Sequence, residues 1–197
     1  GIVWSDSTQV GVYTINDVSI AMLTYLHYRE KVEDMLTSVP QAIRNAKAQY
    51  DIVIVSFHWG AELDYKPNRN QINLGRATID AGADLVLGHH SHRINPIEEY
   101  KGKYIVYSLG NFSFAGNNKP SDMSTFLFQV RFNVKESGVE TDSFRIIPSR
   151  ISSRTDYNDF AITPFTDQRL IDNVVNMLLS NSGGLEYAVT RYPLDWE

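Results

Sequence analysis

Four of the five histidines in this chain lie directly after two short runs of β-branched and aliphatic residues. His58 follows the run at 52–55, and a cluster of three histidines follows the run at 83–87. Such runs are typical of buried parallel strands. In open α/β sheets ligands bind beyond the carboxyl ends of the strands, and neutral imidazole is a ligand for zinc, iron and related ions. The pattern therefore predicts a metal site at this edge of a sheet.

The candidate metal ligands are His58, His90 and His92. The last two are separated by one residue, so in extended backbone both side chains project to the same side and can reach one ion or two adjacent ions. His89 either replaces His90 as a ligand or acts as a hydrogen-bond donor and catalytic acid. His27 stands alone in an apolar run and is interpreted as an ordinary core or surface residue.

Three further residues near the histidines are candidates for catalysis or substrate binding. Glu62 lies four residues after His58 and could orient an imidazole, although it could equally be a solvated loop charge. Arg93 adjoins the histidine cluster and could bind an anionic substrate through a bidentate contact. Asn111 could donate to a phosphate or carboxylate oxygen, and its alternative role is that of a left-handed turn residue.

The surrounding pattern predicts an α/β fold. Strands alternate with helices up to about residue 95, and antiparallel hairpins follow, which together indicate two sheets packed as a sandwich and flanked by helices. Because proline cannot donate an interior helical hydrogen bond, Pro40 is expected to separate two helices. The other expected elements are an edge hairpin at 3–15, an internal strand at 18–25, and helices at 67–81 and 167–180.

Three ordered motifs give the chain a family resemblance: HWGAE at 58–62, GADLVLGHHSH at 82–92 and YSLGNFSF at 107–114. In this order they resemble the CapA-type proteins of poly-γ-glutamate capsule synthesis, which are similar in fold to the calcineurin-like metallophosphoesterases. The resemblance implies an α/β/β/α sandwich of two mixed sheets. It also implies a two-metal centre that would polarise a phosphoryl or acyl oxygen and activate bound water.

The resemblance also identifies motifs that this chain lacks. Such domains normally begin with a Gly-Asp motif, an Asn-x-Glu segment and an Asn-Asn-His segment, which supply the early metal ligands. We therefore expect residues 1–197 to be the carboxyl-terminal part of a single CapA-like domain. The expected cofactors are divalent ions of zinc, manganese or iron, two in the complete domain and one or none here.

By the same resemblance, the parent protein would act outside the cytoplasm, at the cell envelope, as a metal-dependent hydrolase of a phosphoester or an amide. The alternatives are a non-catalytic factor that binds an anionic polymer, and an inactive truncated product. Expected partners are an anionic polymer or phosphoester substrate and capsule-synthesis membrane proteins, and a second copy of the chain is a further candidate partner.

Composition restricts the function further. The formal net charge of −5, without a basic run, argues against nucleic-acid binding. The absence of cysteine excludes disulfides and thiolate metal ligands. No apolar stretch approaches the ~20 residues that are needed to span a bilayer.

Overall fold

The computed structural model describes residues 3–6, 8–27, 31–113 and 116–196. Within these ranges the chain forms two β-sheets and three α-helices, as the sequence predicts for an α/β fold. No helix among these residues is long and apolar enough to cross a membrane. In chain order the elements are β1 Gly11–Ile15, β2 Val18–Leu26, α1 Val32–Lys47, β3 Ile52–His58, α2 Arg69–Asp80, β4 Leu85–His89, β5 Ile94–Tyr100, β6 Lys103–Leu109, β7 Ser124–Lys135, β8 Gly138–Arg150, β9 Thr163–Pro164 and α3 Gln168–Asn181.

The larger sheet has six strands in the order β1-β2-β3-β4-β6-β5. Strands β2, β3, β4 and β6 are parallel, whereas β1 and β5 are antiparallel strands at the two edges. The β-branched runs occupy the middle of this sheet, where both faces are covered and alternation between apolar and polar residues is not required. The carboxyl ends of β3 and β4 consequently lie side by side.

Helices α1 and α2 cover one face of the six-stranded sheet. Their buried side chains pack with those of β3, β4 and β6 into a continuous apolar cluster. Helix α2 begins at Asn68, whose side chain accepts from the Gln71 amide while the Gln71 side chain accepts from the Asn68 amide. This reciprocal cap satisfies two backbone donors and fixes the start of the helix.

The prediction that Pro40 separates two helices is wrong, because α1 runs through it from Val32 to Lys47. Proline removes one interior hydrogen bond, but Met35, Val39 and Ile43 are completely buried against the sheet. Burial of side chains of this size contributes roughly 1.5–3 kcal/mol each. The combined gain from the three side chains exceeds the cost of one interior proline, which is about 3 kcal/mol.

The amino-terminal hairpin is shifted relative to its predicted bounds. Strand β1 pairs with β2 around Asn16 and Asp17, which adopt φ values of 50° and 66° and form the tight turn. Asparagine and aspartate tolerate this left-handed conformation better than most residues. The expected edge hairpin at 3–15 thus becomes a hairpin of β1 with β2, and the internal strand predicted at 18–25 is confirmed.

The smaller sheet is antiparallel, in the order β7-β8-β9, and lies on the opposite face of the larger sheet from α1 and α2. Helix α3 packs against β5 and β8 and buries Val174 and Leu178 in this second cluster. The Thr125 hydroxyl donates to the Leu109 carbonyl at 2.7 Å, which joins β7 to the end of β6. This junction brings the residues after β6 over the carboxyl edge of β3 and β4.

Candidate functional site

All four histidines of the two motifs line one cavity at the carboxyl edge of the larger sheet. His58 and His89 are the last residues of β3 and β4 and are register partners, so their side chains leave the same face of the sheet. That face is directed towards the smaller sheet. The cavity has a volume of about 230 Å³ and is completed by residues after β6. Its lining consists of His58, His89, His90, His92, Gly110, Phe112 and Ser113.

The backbone of the histidine cluster is bent and not extended, contrary to the sequence-based expectation. His90 and His92 have φ values of 96° and 56°, in the left-handed region that favours glycine. The bend arises because β4 ends at His89 and the chain must turn before it enters the antiparallel strand β5. The Leu63 amide donates to the Ser91 carbonyl at 2.7 Å and holds the bend against the preceding loop.

The bend still places the imidazoles near one another. The ring centroids of His58 and His90 are 4.4 Å apart, and those of His90 and His92 are 6.3 Å apart. Bulky residues with positive φ cost about 1–3 kcal/mol each and persist where the surrounding structure imposes them. Two of the positions that bear this cost are therefore residues that the sequence identifies as candidate ligands.

Asn111 contacts His92 directly. The side-chain amide of this buried asparagine donates to the Asp122 carbonyl at 3.2 Å and to the His92 carbonyl at 3.5 Å, which fixes its orientation. Its Oδ1 atom then faces Nδ1 of His92 at 2.6 Å. Because an amide oxygen only accepts, Nδ1 of His92 carries the proton and Nε2 carries the ring lone pair. The substrate contact expected of Asn111 stays a prediction, since these protein groups engage both ends of its amide.

The local environment favours neutral imidazoles. Burial lowers the pKa of His89 to about 4, and the nearby charge of His58 acts in the same direction. The pKa of His58 is also lowered, first by burial and then by His90 and His92, while Glu62 opposes the shift. Neutral imidazole is the form that binds metal ions through a ring nitrogen.

The donor set suits a borderline divalent metal, but the side chains are not arranged around a common point. The imidazoles that line the cavity match the ligand preference of zinc, iron and related ions. Across the described ranges, however, no three histidine, aspartate or glutamate side chains are close enough to hold one ion. A shared ion therefore requires rotation of the side chains of His58, His90 and His92 toward each other.

A second cavity of about 340 Å³ adjoins the first, and we call it the Arg93 groove. His92 is the residue that lines both cavities. Glu62 and Arg93 lie in the groove and not in the lining of the histidine cavity. Glu62 is exposed, whereas Arg93 is only 8% exposed. The groove is lined by Glu62, Leu63, His92, Arg93, Asn111, Gly116, Asn117, Pro120 and Ser121.

Sequence reasoning did not identify two structural contributors to the site. Gly88 stands where an added Cβ would lie 2.0 Å from the Tyr107 carbonyl oxygen, so only glycine allows β4 to approach β6 here. A glycine inside an apolar strand is the signal that could have revealed this. Tyr65 and Asp122 are joined by a hydrogen bond of 2.9 Å, and no local pattern predicts that contact between distant loops.

Comparisons with known proteins give one family match, which covers more than half of the chain. The family model described as bacterial capsule synthesis protein PGA_cap matches residues 5–115. The matched segment includes every candidate metal, catalytic and substrate-binding residue named above, although the match assigns no role to any of them.

Three curated relatives are similar to parts of the chain. The PGA biosynthesis protein CapA of Bacillus subtilis is 36% identical over 159 residues, which is 75% of this chain and 40% of that protein. The capsule biosynthesis protein CapA of Bacillus anthracis is 39% identical over 100 residues, or 50% of this chain and 24% of the relative. A probable polyglutamine synthesis accessory protein of Mycobacterium tuberculosis is 40% identical over 78 residues, which is 40% of this chain and 20% of that protein. The aligned part thus spans 40% or less of each relative's length.

Proposed function

The chain belongs to the bacterial capsule synthesis protein family PGA_cap, and we propose that it provides the imidazole ligands of a metal-dependent hydrolytic site in the biogenesis of an envelope polymer. One observation carries the proposal. His58, His90 and His92 come from two adjacent strand ends and line one cavity at the edge where α/β folds bind ligands.

The proposed division of labour follows from the contacts. His58, His90 and His92 would hold the metal, with His92 presented through Nε2 because Asn111 accepts from its Nδ1. A bound divalent ion supplies polarisation of a phosphoryl or acyl oxygen and lowers the pKa of coordinated water. His89 lines the same cavity and is proposed to donate a hydrogen bond to a reacting oxygen as a neutral imidazole, because burial lowers its pKa to about 4.

Glu62 is proposed to act on the site through its charge. It is exposed and lines the Arg93 groove, yet its carboxylate raises the pKa of His58 against the effect of burial. A nearby carboxylate favours positive charge at an imidazole. Arg93 and Asn111 complete the proposed machinery on the substrate side.

The substrate class comes from the names of the relatives. Two are named for capsule or PGA biosynthesis and a third for polyglutamine synthesis, so we propose an anionic glutamate polymer or its phosphoester precursor as the substrate. Action outside the cytoplasm, alongside capsule-synthesis membrane proteins, is part of this proposal. So is the assignment of residues 1–197 to one metallophosphoesterase-like domain.

Metal titration and turnover assays test the proposal together. Metal-stripped protein is titrated with zinc and with manganese, and hydrolysis of a phosphodiester and of a γ-glutamyl amide is followed at each metal concentration. We expect saturable binding and metal-dependent turnover, both lost in His58→Ala and His92→Ala. The matched control is His27→Ala, because His27 is not part of the cavity lining and its removal should leave both readouts unchanged. Binding that survives in His58→Ala and His92→Ala would contradict the assignment of the ligands.

A second candidate function is non-catalytic binding of the polymer. Two observations favour it. In the described part of the chain no three histidine, aspartate or glutamate side chains are close enough to hold one metal ion, and the neighbouring groove contains a buried arginine that could bind an anion. Tight, metal-independent binding of glutamate polymer without turnover of either substrate would establish this function in place of hydrolysis.

A further inference from the structure

We infer that the Arg93 groove is a second binding subsite, which takes a carboxylate or phosphate oxyanion on the guanidinium of Arg93. The inference deepens the proposed function, because it assigns the subsite that holds an anionic ligand next to the histidine cavity. It rests on the burial of Arg93, on the chemistry of its partners, and on the position of His92 between the two cavities.

Arg93 is a buried cation whose contacts are with neutral groups. Its Nη1 donates to the His92 carbonyl and its Nη2 to the Ser121 hydroxyl, both at 2.8 Å. The guanidinium also lies 5.4 Å from the centre of the Tyr65 ring. Among the ion pairs formed by the described residues, none involves Arg93.

The carboxylate that could neutralise Arg93 is engaged elsewhere. Asp122 accepts from the Tyr65 hydroxyl at 2.9 Å and from the Ser124 amide at 2.8 Å. Each of its two oxygens thus accepts one hydrogen bond from another donor, and no ion pair joins Asp122 to Arg93 in the part of the chain that the structure describes. A buried charge without an opposite charge is costly, and binding an oxyanion from outside removes that cost.

The guanidinium is oriented before any ligand arrives. The two hydrogen bonds and the contact with Tyr65 hold its plane in one position, so little side-chain entropy is lost on binding. Arginine presents five N–H donors in a fixed fork that matches the two oxygens of a carboxylate or phosphate. The exposed carboxylate of Glu62 also lines the groove, but its charge is screened by water far more than a buried charge is.

The position of the groove connects the subsite to the proposed chemistry. Arg93 follows His92 in sequence, and His92 lines both cavities. A ligand whose oxyanion binds Arg93 would have its next groups adjacent to the histidines. In a polymer with repeated carboxylates, one carboxylate would then bind in the groove while a neighbouring linkage enters the histidine cavity.

A purely structural role is the competing explanation. Arg93 connects the bend after β4 to the segment that contains Ser121, and such a tie could be its whole purpose. The two explanations differ in what they predict for ligand binding by folded protein. A structural tie affects stability alone, whereas a subsite makes oxyanion affinity depend on the guanidinium.

Calorimetric titration of metal-stripped protein tests the inference, in a buffer free of chelators because chelators are themselves polycarboxylates. The probes are a γ-linked glutamate tetramer and inorganic phosphate. We expect at least one probe to bind, and Arg93→Gln to weaken that binding by roughly 10- to 100-fold, as is typical for loss of hydrogen bonds to a charged group. Arg93→Lys keeps the positive charge but not the forked N–H donors of the guanidinium, so it should lose less affinity for the probe than Arg93→Gln. Arg154→Gln is the matched control, because Arg154 is an exposed arginine paired with Asp156.

The outcomes are distinct. Arg93-dependent binding of the tetramer identifies a carboxylate as the source of the oxyanion, and Arg93-dependent binding of phosphate identifies a phosphoester. Failure of the wild-type protein to bind either probe at millimolar concentration overturns the inference, even if Arg93→Gln does not fold. Equal affinities of folded Arg93→Gln and wild type overturn it as well. Because no metal is present, loss of the metal site in the earlier titration would leave this result untouched, and the two proposals can fail separately.

Discussion

The contact between Asn111 and His92 gives the sharpest quantitative prediction about the site. In Asn111→Ala, Nδ1 of His92 loses the acceptor that lies 2.6 Å away. The ring can then carry its proton on either nitrogen and can rotate. The nitrogen proposed to bind metal is therefore no longer held in one orientation.

The magnitude follows from the loss of a group that orients a metal ligand. Removal of such partners typically weakens metal affinity by about 10- to 100-fold, which corresponds to roughly 1.4–2.8 kcal/mol. The same substitution removes the hydrogen bonds from the Asn111 amide to two carbonyls, at about 1 kcal/mol each. We therefore expect a loss of stability of about 2 kcal/mol together with the loss of affinity.

Two companion variants separate orientation of His92 from a general loss of stability. Asn111→Asp keeps an acceptor for Nδ1 but loses the amide donors, so it should lower stability while retaining metal affinity. Asn68→Ala removes the cap of α2 and should cost about 1 kcal/mol of stability without any effect on affinity.

The assay is competition for zinc against a chromophoric chelator, combined with urea unfolding of the metal-free protein. The expected order of zinc affinity places wild type, Asn68→Ala and Asn111→Asp together, with Asn111→Ala at least tenfold weaker. Unchanged affinity of folded Asn111→Ala would refute the reasoning, because the hydrogen bond would then have no part in presenting His92.

Three further predictions concern the scaffold. Gly88→Ala should destabilise the protein strongly or prevent folding, because the new Cβ would lie 2.0 Å from the Tyr107 carbonyl oxygen; thermal unfolding of the purified variant measures this. Arg76→Met should cost roughly 3–5 kcal/mol in urea unfolding, because Arg76 pairs at 2.6 Å with Glu98, whose carboxylate is completely buried; a loss below 1 kcal/mol would contradict that account. Burial, followed by two nearby carboxylates, raises the pKa of Tyr104 to about 12. Folded protein therefore resists its ionisation, so stability present below pH 10 should be lost between pH 10 and 12, and Tyr104→Phe should reduce that loss in alkaline unfolding curves.

The sequence predicted the parts of the fold that depend on local pattern. Buried β-branched runs indicated β3 and β4, and the rule for strand ends then brought His58 and His89 to one edge. The break expected at Pro40 was wrong because the buried face of α1 compensates for the lost hydrogen bond. Local propensity alone does not include that contribution of tertiary packing.

The details of the site depend on contacts between distant segments, which local pattern does not encode. The bend at His90 and His92 results from the exit of β4 towards β5, and the partner of His92 comes from the loop after β6. The placement of Glu62 in the groove depends on how the loop after β3 folds back on Ser91. These features could be identified only from the three-dimensional structure, whereas the clustering of the imidazoles could be predicted from the sequence.

Anomalous diffraction at the zinc absorption edge, from crystals of the chain soaked in zinc, tests the proposed metal site most directly. We expect an anomalous peak inside the histidine cavity, in contact with ring nitrogens of His58, His90 and His92. A peak elsewhere on the protein, or an empty cavity at saturating zinc, would contradict the assignment of these histidines as metal ligands.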